Sequence, residues 1–244
     1  MSSVAYDQIA EEYKTSKQLP FRKHIEAYTL FDLLGDLNDK SILDLACGEG
    51  IYARQFKASG ARTVLGVDVS TEMIKLAEAE ELKAPMGCQY QVANASSFNI
   101  DSSFDVITGV YLLNYAKSRQ ELFQFCEAVH RHLKPGARFV GINDNPFNSP
   151  ERYHMYKPYG FVKESPENRQ EGDYIRYTLF NADGTECTFD NYYLSPETYE
   201  EVFTAVGFKR FSWHWPRLAP EQLSSTHWHY FMDYPPIIGF SAIR

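Results

Sequence analysis

Asp44, Gly48, Gly50 and Asp68 are the residues whose types and spacing suggest chemistry. A short apolar run, residues 41–46, reads as a buried strand that ends in the turn Ala46-Cys47-Gly48-Glu49-Gly50, and the next β-branched run ends at Asp68. Glycines in such a turn let backbone approach a ligand where a Cβ would collide, and an acid at the end of the second strand can accept both hydroxyls of a ribose. That describes a nucleoside site. Gly48, Gly50 and Ala53 also satisfy a G-x-G-x-x-A pattern, so the glycines alone fit a nicotinamide dinucleotide as well. Asp44 discriminates, because a carboxylate before the turn repels a pyrophosphate and suits the ammonium of a methionine moiety.

The elements that must hold these residues alternate. Strands are expected at 41–46, 63–67, 88–93, 104–110 and 137–142, with helices at 51–58, 70–81 and 119–133. This alternation predicts an α/β fold, a Rossmann-like doubly wound, mostly parallel seven-stranded sheet with an antiparallel last strand and a small cap or lid. The prolines at 146, 150, 158 and 166 make 143–173 a loop-rich insertion rather than a helix. A hairpin, 174–180 and 186–194, turns at Asp183-Gly184, and a helix at 195–206 and a strand at 208–215 follow. The chain is expected to be a single domain, with lid helices at 1–40, the cofactor core at 41–142, the insertion and hairpin at 143–194, and a C-terminal helix, strand and tail at 195–244.

The run Leu43–Gly50, the strand end Gly66-Val67-Asp68 with Ser70 and Met73-Ile74 behind it, and His132-Leu133-Lys134-Pro135-Gly136 resemble successive motifs of the class I methyltransferases that use S-adenosylmethionine (SAM). The resemblance spans roughly residues 40 to 142. Tyr6, Asp7, Ile9, Ala10 and Tyr13 resemble the Y-D-x-I-A-x-x-Y opening of small-molecule members, whose first helix closes over the cofactor. Within that group the layout is similar to bacterial N-methyltransferases of azapteridine (toxoflavin-type) biosynthesis.

The resemblance implies Asp44, Ala46, Gly48 and Gly50 around the methionine part, Asp68 on the ribose, Val69 and Met73 among the other cofactor-binding residues, and Tyr6 and Tyr13 in the lid. It puts Asn94, where the family often has an acid, and Ala95 at the adenine. Tyr111 falls beside the reacting methyl group. Ala46 stands where the family frequently has Gly, a change expected only to tighten the turn. For the acceptor, Asn114, Tyr115, Asp144 and His214 are the candidates by position, and His214, His227 and Asp144 are candidate bases by residue type. No catalytic residue is singled out, since methyl transfer rests on alignment and exclusion of water. A NAD(P)-dependent oxidoreductase and a non-catalytic SAM-binding regulator are the competing readings.

Charged residues at 23% and hydrophobic ones at 44% exclude a disordered chain, and a net charge of −8 argues against a nucleic-acid substrate. The four cysteines lack zinc spacing and are expected as reduced thiols, and no apolar run suggests a leader or membrane span, so a cytoplasmic monomer or homodimer acting on a small molecule is expected. His227 and His229 lack a third ligand, so no metal is expected. Trp213, Trp215 and Trp228 read as core packing. Tyr153 and Lys157 match Y-x-x-x-K of short-chain dehydrogenases, but Pro150 and Pro158 deny them a helix. Asn145-Pro146-Phe147 is similar to the N-P-P-Y of DNA amino-methyltransferases, but lacks a proline and follows the wrong strand.

Overall fold

A computed structural model describes the backbone of residues 3–244 and the side chains from Ala10 onward. Helix α1 (Ser3–Ser16) leads through a six-residue π-helix, Arg22–Ala27, into α2 (Tyr28–Leu34). There follow β1 (Ser41–Leu45), α3 (Ile51–Ala58), β2 (Thr63–Asp68), α4 (Thr71–Lys83), β3 (Cys88–Val92), β4 (Phe104–Gly109), α5 (Arg119–His132) and β5 (Leu133–Asp144). These match the predicted elements within a few residues. Serine caps start α4 and α5: Ser70 Oγ accepts from the Met73 amide and Ser118 Oγ from the Glu121 amide.

The main sheet has the order β3-β2-β1-β4-β5-β10-β9, where β9 is Arg210–His214 and β10 is Ile237–Ile243. β10 runs antiparallel to both neighbours, so the other six strands are parallel. The antiparallel last strand therefore lies at 237–243, in the stretch expected to be a tail. Its sequence, Ile237-Ile238-Gly239-Phe240-Ser241-Ala242-Ile243, is a continuous apolar run after two prolines, the signature of a strand buried on both faces. Strand β1 sits in the middle, all five residues buried, paired in parallel with β2 on one side and β4 on the other. The strand order reverses there, and in doubly wound sheets that reversal opens a crevice at the strands' C-terminal ends.

The stretch 143–173 is more regular than predicted. A 3₁₀-helix covers Pro150–Tyr159, starting at Pro150 and closing at left-handed Gly160, and β6 (Phe161–Glu164) follows. Proline at the first helical position lacks only an amide that would be unpaired anyway, which is why Pro150 starts this helix rather than forbidding it. β6 pairs with β7 (Tyr174–Phe180), and β7 with β8 (Glu186–Tyr192), as a separate antiparallel sheet of three. The predicted hairpin is present, and Asn181 of its turn donates to the Glu12 carbonyl at 3.0 Å, fastening the small sheet to α1. Helix α6 (Pro196–Val206) packs beside α5.

His227 and His229 sit on a short 3₁₀-helix and on α7 (His229–Asp233), not on one strand face. Trp228 is buried against Tyr159, their rings stacked at 5.6 Å, and Trp213 packs edge-on to Tyr199 at 5.1 Å, but Trp215 is 62% exposed and is not core.

Candidate functional site: a cofactor cleft beside an aromatic cavity

The turn after β1 is built from left-handed residues. Ala46, Gly48 and Gly50 have φ of 56°, 56° and 80°. A Cβ on Gly50 would stand 2.5 Å from the Tyr90 hydroxyl, so only glycine fits there. Ala46 does more than tighten the turn, because its Cβ is held in a conformation that costs L-residues about 1–2 kcal/mol. The turn closes on β2: Gly48 N donates to Asp68 Oδ2 and Ser70 N to Asp68 Oδ1, both at 2.9 Å. Asp68 is thereby aimed across the crevice, each oxygen retaining a lone pair for a further donor.

A cleft of about 530 Å³ lies over this turn, lined by Tyr13, Lys17, Asp44, Ala46, Cys47, Gly48, Tyr52, Asp68, Met73, Val110 and Tyr115. The structure thus gathers Tyr13, Asp44, Ala46, Gly48, Asp68 and Met73 as expected, and brings Tyr115 here from the acceptor set. Gly50 shapes the turn from outside the lining. Val69, Asn94 and Ala95 do not reach the cleft wall; Ala95 is packed in the core, and Asn94 Oδ1 accepts from both the amide and the hydroxyl of Ser96 at 2.9 Å. The side chain of Tyr6 lies outside the described residues. Lys17, Tyr52 and Val110 were not legible as site residues.

Asp44 is 2% exposed. Its Oδ1 accepts from the Thr108 hydroxyl at 2.6 Å, and its Oδ2 has no partner among the described residues. Burial pushes its carboxyl up to about 7, against the Thr108 hydrogen bond and with the help of the nearby Asp68 and Glu49 carboxylates. Burial likewise raises Asp68. A buried acid with a bare oxygen is a socket for a donor cation. Two acids against one lysine make the cleft net negative, which suits a ligand with a sulfonium and an ammonium and opposes a pyrophosphate. These residues fit SAM: Asp68 for the ribose hydroxyls, Asp44 for the ammonium, Lys17 for the carboxylate.

Tyr13 and Tyr115 are shared with a second cavity, of about 360 Å³, roofed by the small sheet. Its other walls are Phe21, Arg22, Tyr111, Phe161, Tyr177, Leu179, Phe189, Asn191 and Ile237. The aromatic rings form a continuous series: Tyr156 on Phe161 at 5.4 Å, Phe161 on Tyr177 at 5.9 Å, Tyr177 on Phe189 at 5.6 Å, and Phe189 edge-on to Tyr13 at 5.6 Å. Tyr111 belongs to this cavity rather than to the cofactor cleft. It is held at φ 64° by its amide's 2.7 Å bond to the Ile142 carbonyl, and its hydroxyl donates to Glu26.

Two buried acids flank the cavity, each held by a cation and by tyrosine. Glu26, fully buried, accepts from Arg22 Nη1 at 2.8 Å, from the Tyr52 hydroxyl at 2.7 Å and from Tyr111. Arg22 draws its carboxyl below the ordinary range despite the opposing effect of burial. The π-helix turns both Arg22 and Glu26 inward, four residues apart; sequence signals had only suggested lid helices here. On the other side Asp144 accepts from Lys163 Nζ at 2.6 Å and from the Tyr177 hydroxyl, and burial lowers the Lys163 ammonium.

Of the residues expected at the acceptor, only Tyr115 lines this cavity. Asp144 stands behind Tyr177. Asn114 is buried, with its Oδ1 accepting from the Asp144 amide at 3.0 Å. His214 is not at either cavity; its Nε2 lies 2.8 Å from Ser241 Oγ on β10. Among the described residues no cluster of three His, Cys, Asp or Glu side chains is placed to hold a metal, and no helix is long and apolar enough to cross a membrane. All four cysteines are free and buried.

Comparison with known proteins agrees with this geometry. Residues 42–136 match the family model described as a methyltransferase domain. A ubiquinone biosynthesis O-methyltransferase of Pseudomonas syringae pv. tomato is 29% identical over 119 residues, 47% of this chain and 50% of that protein, so the match spans only half the relative's length. Among solved structures, a SAM-dependent methyltransferase from Mesorhizobium loti superposes with a TM-score of 0.63 at 22% identity, covering 88% of this chain and 95% of the other. The CcbJ methyltransferase from Streptomyces caelestis superposes with a TM-score of 0.69 at 15% identity, over 99% and 98%. The matched stretch holds the acidic turn and Asp68, so the chain is similar to a methyltransferase domain over residues 42–136 and shares its overall fold with these two structures.

Proposed function

We propose that this protein transfers a methyl group from SAM to a nitrogen or oxygen of a small molecule held in the aromatic cavity. The observation that carries the reading is the adjacency of the two spaces: an acidic cleft fitted to a cationic nucleoside shares the Tyr13 and Tyr115 walls with a closed aromatic pocket. Bound SAM would supply a methyl group already activated by its sulfonium charge. The chain's own residues position and shield. Asp68 and Asp44 fix the donor, the Tyr13–Tyr115 boundary brings the two ligands into line, and the stacked rings of the cap exclude water. A proton leaving the acceptor has a destination, because Asp144 reaches the cavity through the Tyr177 hydroxyl. The cavity encloses too little space for a protein or nucleic-acid segment. Four unpaired buried thiols suit a reducing cytoplasm, and the reading needs no second copy of the chain.

Isothermal titration with SAM, S-adenosylhomocysteine and NADH, followed by a methyl-transfer screen on a panel of small heteroaromatic and phenolic acceptors, tests the proposal. Binding of SAM and its product, with methylation of a small acceptor, supports it. Binding of NADH alone would turn the cleft into a dehydrogenase site, and tight SAM binding with no turnover on any acceptor would leave a SAM-binding regulator.

A further inference from the structure

Glu49 is a buried charge that the cofactor site as described leaves without a role. It stands between Gly48 and Gly50 in the turn after β1, only 7% exposed, and neither oxygen of its carboxylate has a hydrogen-bond partner among the described residues. Arg54 and Lys17 share with it the wall of a groove between α1, α3 and α4, but both are turned to other partners. Arg54 bonds Glu81 at 2.5 Å and the Ala84 carbonyl at 2.8 Å, and Lys17 lies over the Tyr13 ring, 4.8 Å from its centroid. A carboxylate buried without a partner is costly, and a group kept in that state is met by what binds beside it.

Its place joins it to the donor. The Glu49 charge acts on Asp44, Asp68 and Lys17, all of them in the wall of the cofactor cleft, and Lys17 stands in the walls of cleft and groove alike. The amino-acid head of a donor whose carboxylate meets Lys17 therefore lies at that junction, between Asp44 and Glu49. An ammonium there carries three N–H donors, as the lysine head group does. Asp44 has one bare oxygen to offer, Oδ2, because Oδ1 already accepts from the Thr108 hydroxyl. Asp68 is occupied by the Gly48 and Ser70 amides and aimed at the ribose. The two bare oxygens of Glu49 complete the set and give each ammonium hydrogen an acceptor.

We propose that Glu49 is a cofactor-binding residue that brackets the donor's α-ammonium together with Asp44, and that it makes the site select adenosyl thioethers and sulfonium compounds carrying a free α-amino group over those that lack one. This rests on the SAM reading of the cleft. The glycine turn then does two things with one stretch of chain: its backbone lets the donor approach, and the acid between its two glycines holds the donor's charged end, while Asp68 holds the ribose.

The experiment is calorimetric titration of the wild-type protein and of Glu49→Gln with S-adenosylhomocysteine and with its deaminated analogue, which keeps the carboxylate and lacks the ammonium. The wild type is expected to bind S-adenosylhomocysteine at least about thirtyfold more tightly than the analogue. In Glu49→Gln the affinity for S-adenosylhomocysteine should fall about tenfold, the loss for a charged contact made neutral, while the analogue binds as well as before or better, since a negative charge near its carboxylate has gone. A merely structural role would weaken both ligands alike. Melting of the ligand-free proteins is a second reading: Glu49→Gln, which loses a buried charge without a partner, should melt at or above the wild-type temperature. The proposal is overturned by a wild type that does not distinguish the two ligands, by an unchanged preference in Glu49→Gln or by equal weakening of both. It is also overturned by a variant that melts lower or does not fold, which would show that Glu49 already has its partner in the empty protein. If neither ligand binds the wild type, what falls is the SAM reading on which the proposal stands.

Discussion

The cofactor cleft and the aromatic cavity share two tyrosines and differ in almost everything else. The cleft is written in short consecutive stretches of chain, chiefly residues 44–48 with Asp68 and Met73, and its chemistry is a set of acids on a turn. The cavity is assembled from α1, the π-helix, the loop after β4, the three strands of the cap and the start of β10, and its chemistry sits in ion pairs buried behind tyrosines. A turn that must let a ligand approach the backbone restricts residue type locally, whereas a pocket closed by side chains restricts only the sum of their shapes and charges. The comparison predicts that substitutions in the cavity wall first cost stability and acceptor recognition, and that substitutions in the cleft first cost cofactor affinity.

The largest effect should come from Glu26→Ala. It leaves Arg22 buried and unpaired and strips two tyrosine hydroxyls of their acceptor. Breaking a buried pair from one side costs about 3–5 kcal/mol. A fall of that size in a urea unfolding curve is expected, with Glu26→Gln somewhat milder because it keeps the side-chain volume and one accepting oxygen while still removing the counter-charge of Arg22. A change under about 1 kcal/mol for Glu26→Ala would mean that the cavity does not depend on this pair.

Next is Asp68→Ala, expected to weaken binding of SAM and S-adenosylhomocysteine by about 1–3 kcal/mol, the cost of a lost acceptor left against bound hydroxyls. Titration on wild type and variant reads it. Because Asp68 also receives the Gly48 and Ser70 amides, part of the loss will be loosening of the turn. Asp68→Asn, which keeps one carbonyl oxygen, should recover part of the affinity. Undiminished affinity in Asp68→Ala would displace the ribose from this end of β2.

How much of this was legible follows the same division. The strand, turn and acid of the cleft could be read because Leu43–Gly50 and Asp68 are neighbours in sequence or one βαβ unit apart. The doubly wound sheet followed from alternation, and the hairpin from Asp183-Gly184. The apolar run at 237–243 is plain in the sequence, but that it inserts between β5 and β9 is set by long-range pairing that nothing local reveals. Arg22, Glu26 and Lys163 were illegible for a physical reason: a charged residue in an amphipathic segment reads as solvated, and nothing local reveals that another segment's tyrosines will cover it. Tyr111 is legible at its strand end, but its left-handed backbone, which turns the ring toward Glu26 in the aromatic cavity, leaves no mark on composition.

Asp44 provides a pH test of the cleft alone. Its carboxyl, pushed up to about 7 by burial, must be ionised to hold an ammonium, so S-adenosylhomocysteine should bind about tenfold more weakly at pH 6 than at pH 8. The same group acts on stability with a fixed sign. Since its folded value lies above the ordinary 3.8, its contribution is fully present below that value and lost as pH rises through about 7. The ligand-free protein should therefore gain from acidification in this window as far as Asp44 is concerned, and Asp44→Asn should flatten both profiles. Titrations at the two pH values with equal affinity would indicate that the ammonium is held elsewhere.

The smallest effect separates the turn's geometry from its chemistry. Ala46 carries a Cβ at φ 56°, which glycine would relieve, while glycine adds freedom to the unfolded chain. The relief of about 1–2 kcal/mol exceeds the entropic cost of about 0.5–1 kcal/mol, so Ala46→Gly should stabilise the protein by roughly 0.5–1 kcal/mol. Cofactor affinity should stay close to wild type, because the residue lines the cleft through a methyl group and a backbone that already has the required shape. A stabilised fold with weakened binding would show that the Ala46 methyl itself packs on the ligand, and a destabilised fold would show that the turn is held open by its neighbours, Asp68 above all, rather than strained against them.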